Sequence, residues 1–266
     1  SYGGGKILTE LMGIHYGKKF FKKLIIFRPH NVYGPNMGND HVISIIIFII
    51  LSFAIPYYAK KHLSENQQHI LGSVIGGLVA LAYLSWLVLE ILGDTYSAKL
   101  HLPFHLCRTA NLLVFIVLVF RSYLAYEIVL FWGLTVIHAV ITPDIAAGFP
   151  HFQFFRFWFA HHGMIIALIY ATVVYGMRPS LKSIFKAMFA LNLFLLIAII
   201  ANILLDANYF WICGKPINEI GEHVPSLLDY LGPWPWYILV AEFVALAHFL
   251  LAYIPFVFIK RGERLQ

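Results

Sequence analysis

The stretch QQHILGSVIGGLVALAYLSWLVL, Gln67–Leu89, runs for 23 residues without Asp, Glu, Lys or Arg. Coiled as a helix it rises about 1.5 Å per residue, enough to cross the roughly 30 Å hydrocarbon core of a bilayer. Four further stretches share the property over 17 residues or more: Ile43–Ala59, Phe157–Met177, Ala187–Leu205 and Phe243–Ile259. Two weaker candidates complete the set, Leu102–Phe120, which contains Arg108, and Ala125–Pro143, which contains Glu127. The expectation is an all-α polytopic membrane bundle of about seven transmembrane helices over residues 43–266.

Composition agrees. The 266 residues are 60% hydrophobic and only 12% charged, about half the charged share of a soluble domain. Too few charges remain to cover a water-facing surface, which excludes a soluble cytosolic enzyme. The net charge of +6 rests largely on residues 1–42, where six Lys and Arg face only Glu10 and Asp40. The remainder carries thirteen basic against eleven acidic residues, so a nucleic-acid partner is not implied, and membrane lipids are the expected contacts. Cys107 and Cys213 lie in no CxxC or Cys/His spacing that would hold zinc, and no cofactor is implied; a single bridge would need both in an oxidising compartment.

Connections on one side of the predicted bundle hold Lys60, Lys61, Arg121, Arg178, Lys182, Lys186, Lys260, Arg261 and Arg264, and those on the other hold Lys99 and Lys215. Positive loops stay in the cytoplasm, so the protein is expected in the cell membrane with its carboxyl terminus cytoplasmic and the segment before Ile43 outside. That segment is strongly basic and conflicts with the rule. Residues 1–42 therefore read as foreign to the topology.

Within them, Tyr2-x-x-x-Lys6 is followed by Arg28-Pro-His-Asn-Val-Tyr-Gly-Pro35. This pair of motifs resembles the extended short-chain dehydrogenases/reductases, the nucleotide-sugar epimerases and dehydratases. The resemblance implies that Tyr2 matches the catalytic acid/base and Lys6 the residue that lowers its pKa. The Gly-rich dinucleotide fingerprint is missing, so the segment is expected to be a non-functional remnant, with a helix near residues 3–17 and an orphan strand near 23–27.

Polar residues inside a membrane are costly and mark function. They gather at the predicted extracytoplasmic side: His101, His105, Cys107 and Arg108 where the third span begins, Asp144 after the fourth, His151, Arg156, His161 and His162 on the fifth, Asn202 and Asp206 at the end of the sixth, and Asp229, Trp234 and Trp236 before the seventh. Read as helix, Asn202, Asp206 and Tyr209 share a face, as do His101, His105 and Arg108. Asn202 also suits interhelical hydrogen bonding, and the tryptophans an interfacial aromatic belt.

Cys107 is the most informative residue. At the start of a helix, beside Arg108 and several histidines, a thiol is placed as a nucleophile rather than as an inert core residue. His161 and His162 enter the bundle at comparable depth and supply a base, with Gly163 permitting close helix approach.

The motifs Leu102-Pro-x-His-Leu-Cys107, Thr142-Pro-Asp144, Phe149-Pro-His-Phe-x-Phe-Phe155, His162-Gly163 and Ser226-Leu-Leu-Asp-x-Leu-Gly-Pro-Trp-Pro-Trp-Tyr237 resemble the YwaF family of bacterial membrane proteins, related to the eukaryotic transmembrane protein 164 family. The resemblance implies acyl transfer between phospholipids through an acyl-cysteine, with Cys107 as nucleophile and His162 as base. Arg108 and His138 depart from the pattern. On this reading Arg108 and the backbone amides of the third span steady the oxyanion, and Arg156 or Lys215 meets the lipid phosphate. The competing expectation is a small-solute or proton-coupled transporter whose path runs past Arg108, Asp144, His161, Asp206 and Glu242.

Overall fold

The computed structural model describes residues 39–133, 135–141, 151–217, 223–224 and 226–258. The epimerase-like motifs with Tyr2 and Lys6, the helix and strand expected there, and Asp144 lie outside them.

Among the described residues eight α-helices follow in order: α1 (Asn39–His62), α2 (Glu65–Leu92), α3 (Leu106–Phe120), α4 (Tyr123–Trp132), α5 (Thr135–Ile141), α6 (Phe152–Val173), α7 (Leu181–Leu205) and α8 (Trp236–Phe258). Short 3-10 turns occupy Tyr209–Trp211 and Leu227–Leu231, and no strand is present among the described residues beyond one isolated bridge between Ile217 and His223. Local chemistry sets the helix ends. Ser64 caps α2 in a reciprocal box with Gln67, whose side chain accepts from the Ser64 N–H at 3.0 Å, and α7 terminates where Asp206 turns left-handed at φ 50°.

Five of these helices are long and apolar enough to span a membrane: α1 over Ile45–His62, α2, α6, α7 and α8. The two weaker sequence candidates come out short. α3 has 15 residues, about 22 Å, and in place of the expected continuous span Ala125–Pro143 stand the 10-residue α4 and the 7-residue α5, about 15 and 10 Å long. Helix α4 ends with Gly133 as its C-cap residue. A Cβ there would overlap Leu168 of α6, so glycine buys close approach at a position where it disfavours helix by about 1 kcal/mol.

α2 packs against α3 and α6, α1 lies on α6, and α4 is held by α3 and α7, with α8 against α4 and α7. One apolar cluster joins α2, α3, α4 and α6 through Val79, Val114, Val129 and Met164; a second joins α4, α7 and α8 through Phe131, Trp132, Phe194 and Phe249. Outward faces such as Ile46, Ile50 and Phe53 on α1 and Ile203 and Leu204 on α7 stay exposed, as lipid-facing residues must.

Hydrogen bonds across the chain define two ends. At one, Lys60 donates to the Val174 carbonyl (3.2 Å), Tyr170 to Gln68 (2.6 Å) and Tyr175 to Leu118 (3.0 Å). Arg121, Arg178, Lys182 and Lys186 belong to this basic end. At the other, the carboxyl ends of α2 and α7 meet the amino ends of α3, α6 and α8.

Candidate functional site

The second end is where the sequence gathers its polar residues, and the described ones converge there. The connection before α3 is anchored by tyrosines. Tyr83 on α2 donates to the His101 carbonyl (2.8 Å), Tyr209 donates to the Ala98 carbonyl (2.6 Å), and the Leu102 N–H donates to the Tyr209 hydroxyl (2.9 Å).

Two expectations of shared helical faces need correction. Helix α3 begins only at Leu106, so His101, His105 and Arg108 do not lie along one helix. They are neighbours because the loop folds back: Arg108 Nη1 donates to the carbonyls of Leu100 (2.5 Å) and Leu102 (3.1 Å). Likewise α7 stops before Asp206. Asn202 still reaches Tyr209, through a backbone reversal, donating from Nδ2 to its carbonyl (3.0 Å) and accepting its N–H (2.6 Å). This is a clamp on the helix end rather than interhelical glue. Asp206 points outward to Lys99 (2.7 Å), whose ammonium holds its carboxyl below the usual range.

Trp86, in the last turns of α2, is the centre of the arrangement. The guanidinium carbons of Arg108 and Arg156 each lie 4.6 Å from its ring centroid, and His101 lies 4.8 Å away. Its indole N–H donates to Glu90 Oε1 (2.7 Å), while Glu90 Oε2 accepts from Thr95 (2.5 Å) and stands 3.8 Å from His101 Nε2.

Cys107 occupies the first turn of α3. It is half-buried, packs against the Val79–Val114 cluster, and is a free thiol, as is exposed Cys213. His105, the N-cap residue, gives α3 no side-chain cap, and its carbonyl accepts the Arg108 N–H at 3.0 Å. The His105 ring instead faces Tyr209 (5.4 Å) and Trp211 (5.3 Å).

Of the two histidines on α6, His162 is the buried one, 2% exposed. Its ring stacks on Phe48 of α1 (4.5 Å) and lies tilted against Trp158 (4.6 Å), and neither ring nitrogen has a hydrogen-bond partner among the described residues. No hydrogen bond therefore joins His162 to Cys107. His161 donates back to the Phe157 carbonyl (2.8 Å) if its Nδ1 carries the proton. Gly163 delivers the expected close approach: a Cβ on it would come within 2.7 Å of Val79 on α2.

The remaining candidates stand around this centre. His151 caps α6 by accepting the Gln153 N–H (3.1 Å). Asp229 accepts from the Ser226 N–H (2.8 Å) and lies 3.0 Å from His223 and 3.4 Å from Lys215; the Ser226 N–H, then His223 and Lys215, hold its carboxyl below the usual range. Trp236 is exposed, as is Trp234, which donates to Ile212 (3.0 Å).

Sequence reading missed Trp86, Glu90 and Asn111. The first two are four residues apart at the end of the opening apolar run, where an indole and a carboxyl on one helical face signal a pair. Asn111 lies one turn beyond Cys107, 3% exposed, with Oδ1 unsatisfied. Gln153 Oε1 and Arg156 Nε are likewise buried without hydrogen-bond partners among the described residues. Unsatisfied buried groups are rare in folded proteins, and their presence in helices α3 and α6, which bring Cys107 and Arg156 to this end, makes it the candidate site.

A family model, that of the TMEM164 family, matches residues 36–253. No curated protein and no solved structure matches the chain. The match opens at residue 36, just before α1, and covers every described helix up to the last turn of α8. The chain belongs to the TMEM164 family, a family of membrane proteins.

Proposed function

We propose that the protein is a cysteine-dependent phospholipid acyltransferase or lipid hydrolase, with its site at the extracytoplasmic end of the bundle. The observation that carries this reading is the placement of Cys107, a free thiol in the first turn of α3, where the backbone N–H groups of the helix start have no side-chain cap. Such donors stabilise an oxyanion as it forms.

In the first step the Cys107 sulfur attacks the ester carbonyl, a thioester forms, and the lysophospholipid oxygen leaves with the proton the thiol gave up. His162 is the proposed carrier of that proton. Its two nitrogens, without hydrogen-bond partners among the described residues, support the role, and catalytic hydrogen bonds often form only when substrate is bound. In the second step a lysophospholipid hydroxyl, or water, attacks the thioester and restores the thiol.

The test is acyl exchange in proteoliposomes containing a labelled phospholipid and an unlabelled lysophospholipid, comparing wild type with Cys107→Ala. Label transfer that disappears in Cys107→Ala is the expected result. An intact, monodisperse protein that transfers nothing overturns it.

The transporter reading draws on a different observation: Asn111 Oδ1, Gln153 Oε1, Arg156 Nε and both His162 ring nitrogens are buried without hydrogen-bond partners among the described residues, as the lining of a polar path would be. It predicts solute or proton flux that survives Cys107→Ala. Asp206, pointing outward to Lys99, is a poor member of such a path.

A further inference from the structure

Two guanidiniums share one indole at the candidate site, and neither has a carboxylate partner within ion-pair distance among the described residues. Each cationic centre is 4.6 Å from the Trp86 centroid, so they can be no further apart than twice that distance. The ring face attracts each of them but does not neutralise them. Glu90, one helical turn on from Trp86, has one oxygen taken by the Trp86 N–H and the other by Thr95. A single engaged carboxylate leaves two arginines with excess positive charge.

The arginines differ in a way that gives the site a shape. Arg108 is fixed by its two bonds to the carbonyls of Leu100 and Leu102, both made by Nη1, which leaves the rest of its donor fork uncommitted. Arg156 makes no hydrogen bond among the described residues, and its Nε is shut away from solvent. A buried guanidinium donor without an acceptor is costly. An oxyanion presented between the two forks would satisfy it, and arginine forks match phosphate oxygens in geometry. Lys215, the other cation considered for this task, is already engaged by Asp229 at 3.4 Å.

We infer that Arg108 and Arg156, stacked on Trp86, form a binding site for a phosphate group beside Cys107. This deepens the acyl-transfer reading, since it specifies what aligns the ester with the sulfur: a phosphate held by residues 108 and 156 fixes one end of the lipid while the acyl chain runs among the apolar helices. The site itself does not depend on that chemistry.

The experiment is calorimetric titration of the full chain in an uncharged detergent with three probes: dihexanoyl phosphatidylglycerol, dihexanoylglycerol, which lacks the phosphate, and inorganic phosphate. Wild type is expected to bind the phospholipid at least about tenfold more tightly than the diacylglycerol, the effect of one or two charge-assisted hydrogen bonds. Arg108→Gln and Arg156→Gln should each remove most of that preference. Arg156→Lys, which keeps the charge and loses the fork, should retain only part of it, and Cys107→Ala should keep it whole. Competition by inorganic phosphate identifies a soluble anion as sufficient; its absence identifies the lipid head group as the source. Equal affinity of wild type for the lipids with and without phosphate overturns the inference, as does a folded Arg156→Gln that keeps the preference. If that variant does not fold, the wild-type comparison decides. Label transfer without a phosphate preference would sink the clamp and leave the acyl-cysteine; a preference without transfer would do the reverse.

Discussion

Gly163 and His162 are adjacent, and a helix turns about 100° between them, so they serve different neighbours. Gly163 meets Val79 on α2, and His162 meets Phe48 on α1. The dipeptide was legible as a place of close approach, but which partner each residue faces was not, because that depends on the order in which α1 and α2 pack around α6. Val79 is β-branched and has little rotamer freedom to retreat. Gly163→Leu should lower stability in detergent by about 1–3 kcal/mol, measured by thermal unfolding, with Val79→Ala recovering part of the loss. Asp229 offers a second test at this scale. Its folded pKa is depressed by the Ser226 N–H, His223 and Lys215, so the order it confers is present above the unfolded carboxyl pKa of about 4 and fades as pH falls through the lower folded value. Hydrogen exchange in the Leu227–Leu231 turn should therefore speed up as pH falls below about 4, after correction for intrinsic exchange rates. Asp229→Asn should show no such step.

Among the elements, the five long apolar helices were readable because an uncharged run of 17 residues or more matches the width of a bilayer and exceeds what one buried face of a soluble helix requires. The charges that weakened the other two candidates mark what makes them different. Glu127 on α4 is 5% exposed and is held by α7: Ser183 donates to one oxygen (2.6 Å) and Lys186 to the other (2.5 Å). The sequence shows an acid in an apolar run but cannot show a partner that lies 59 positions later. Lys186 is about half exposed, so its removal is screened in part. Lys186→Met should cost about 2 kcal/mol in detergent unfolding, less than the loss of a fully buried partner, and Glu127→Gln combined with it should recover most of that. Equal destabilisation in the single and double variants would show that the pair is not what joins α4 to α7. The site's first helix taught a similar lesson. His101, His105 and Arg108 have helical spacing, yet Pro103 and the tyrosine-anchored loop delay α3 until Leu106, and the cluster forms through backbone carbonyls that no spacing rule reveals.

For the whole molecule, the separation of Lys60, Lys61, Arg121, Arg178, Lys182 and Lys186 from the end that carries Cys107 matches the loop assignment made from sequence, because helix ends alternate whatever the details of packing. The positive-inside rule then sets a direction. Cys213 is exposed at the opposite end from those charges, so a membrane-impermeant maleimide applied to intact cells should modify it, while half-buried Cys107 should react far more slowly. Labelling of Cys213 only after permeabilisation would invert the topology and move the candidate site to the cytoplasmic face. The same architecture constrains how the protein is made. A helix of ten residues carrying a carboxylate has little tendency to enter hydrocarbon alone, and the side chains that accept Glu127 arrive only when the ribosome has passed residue 186. Until then α4 must wait, at the bilayer surface or in the shelter of the insertion machinery. The central piece of this bundle is thus a late addition to its own membrane, and chains stalled before α7 should be the form that quality control removes first.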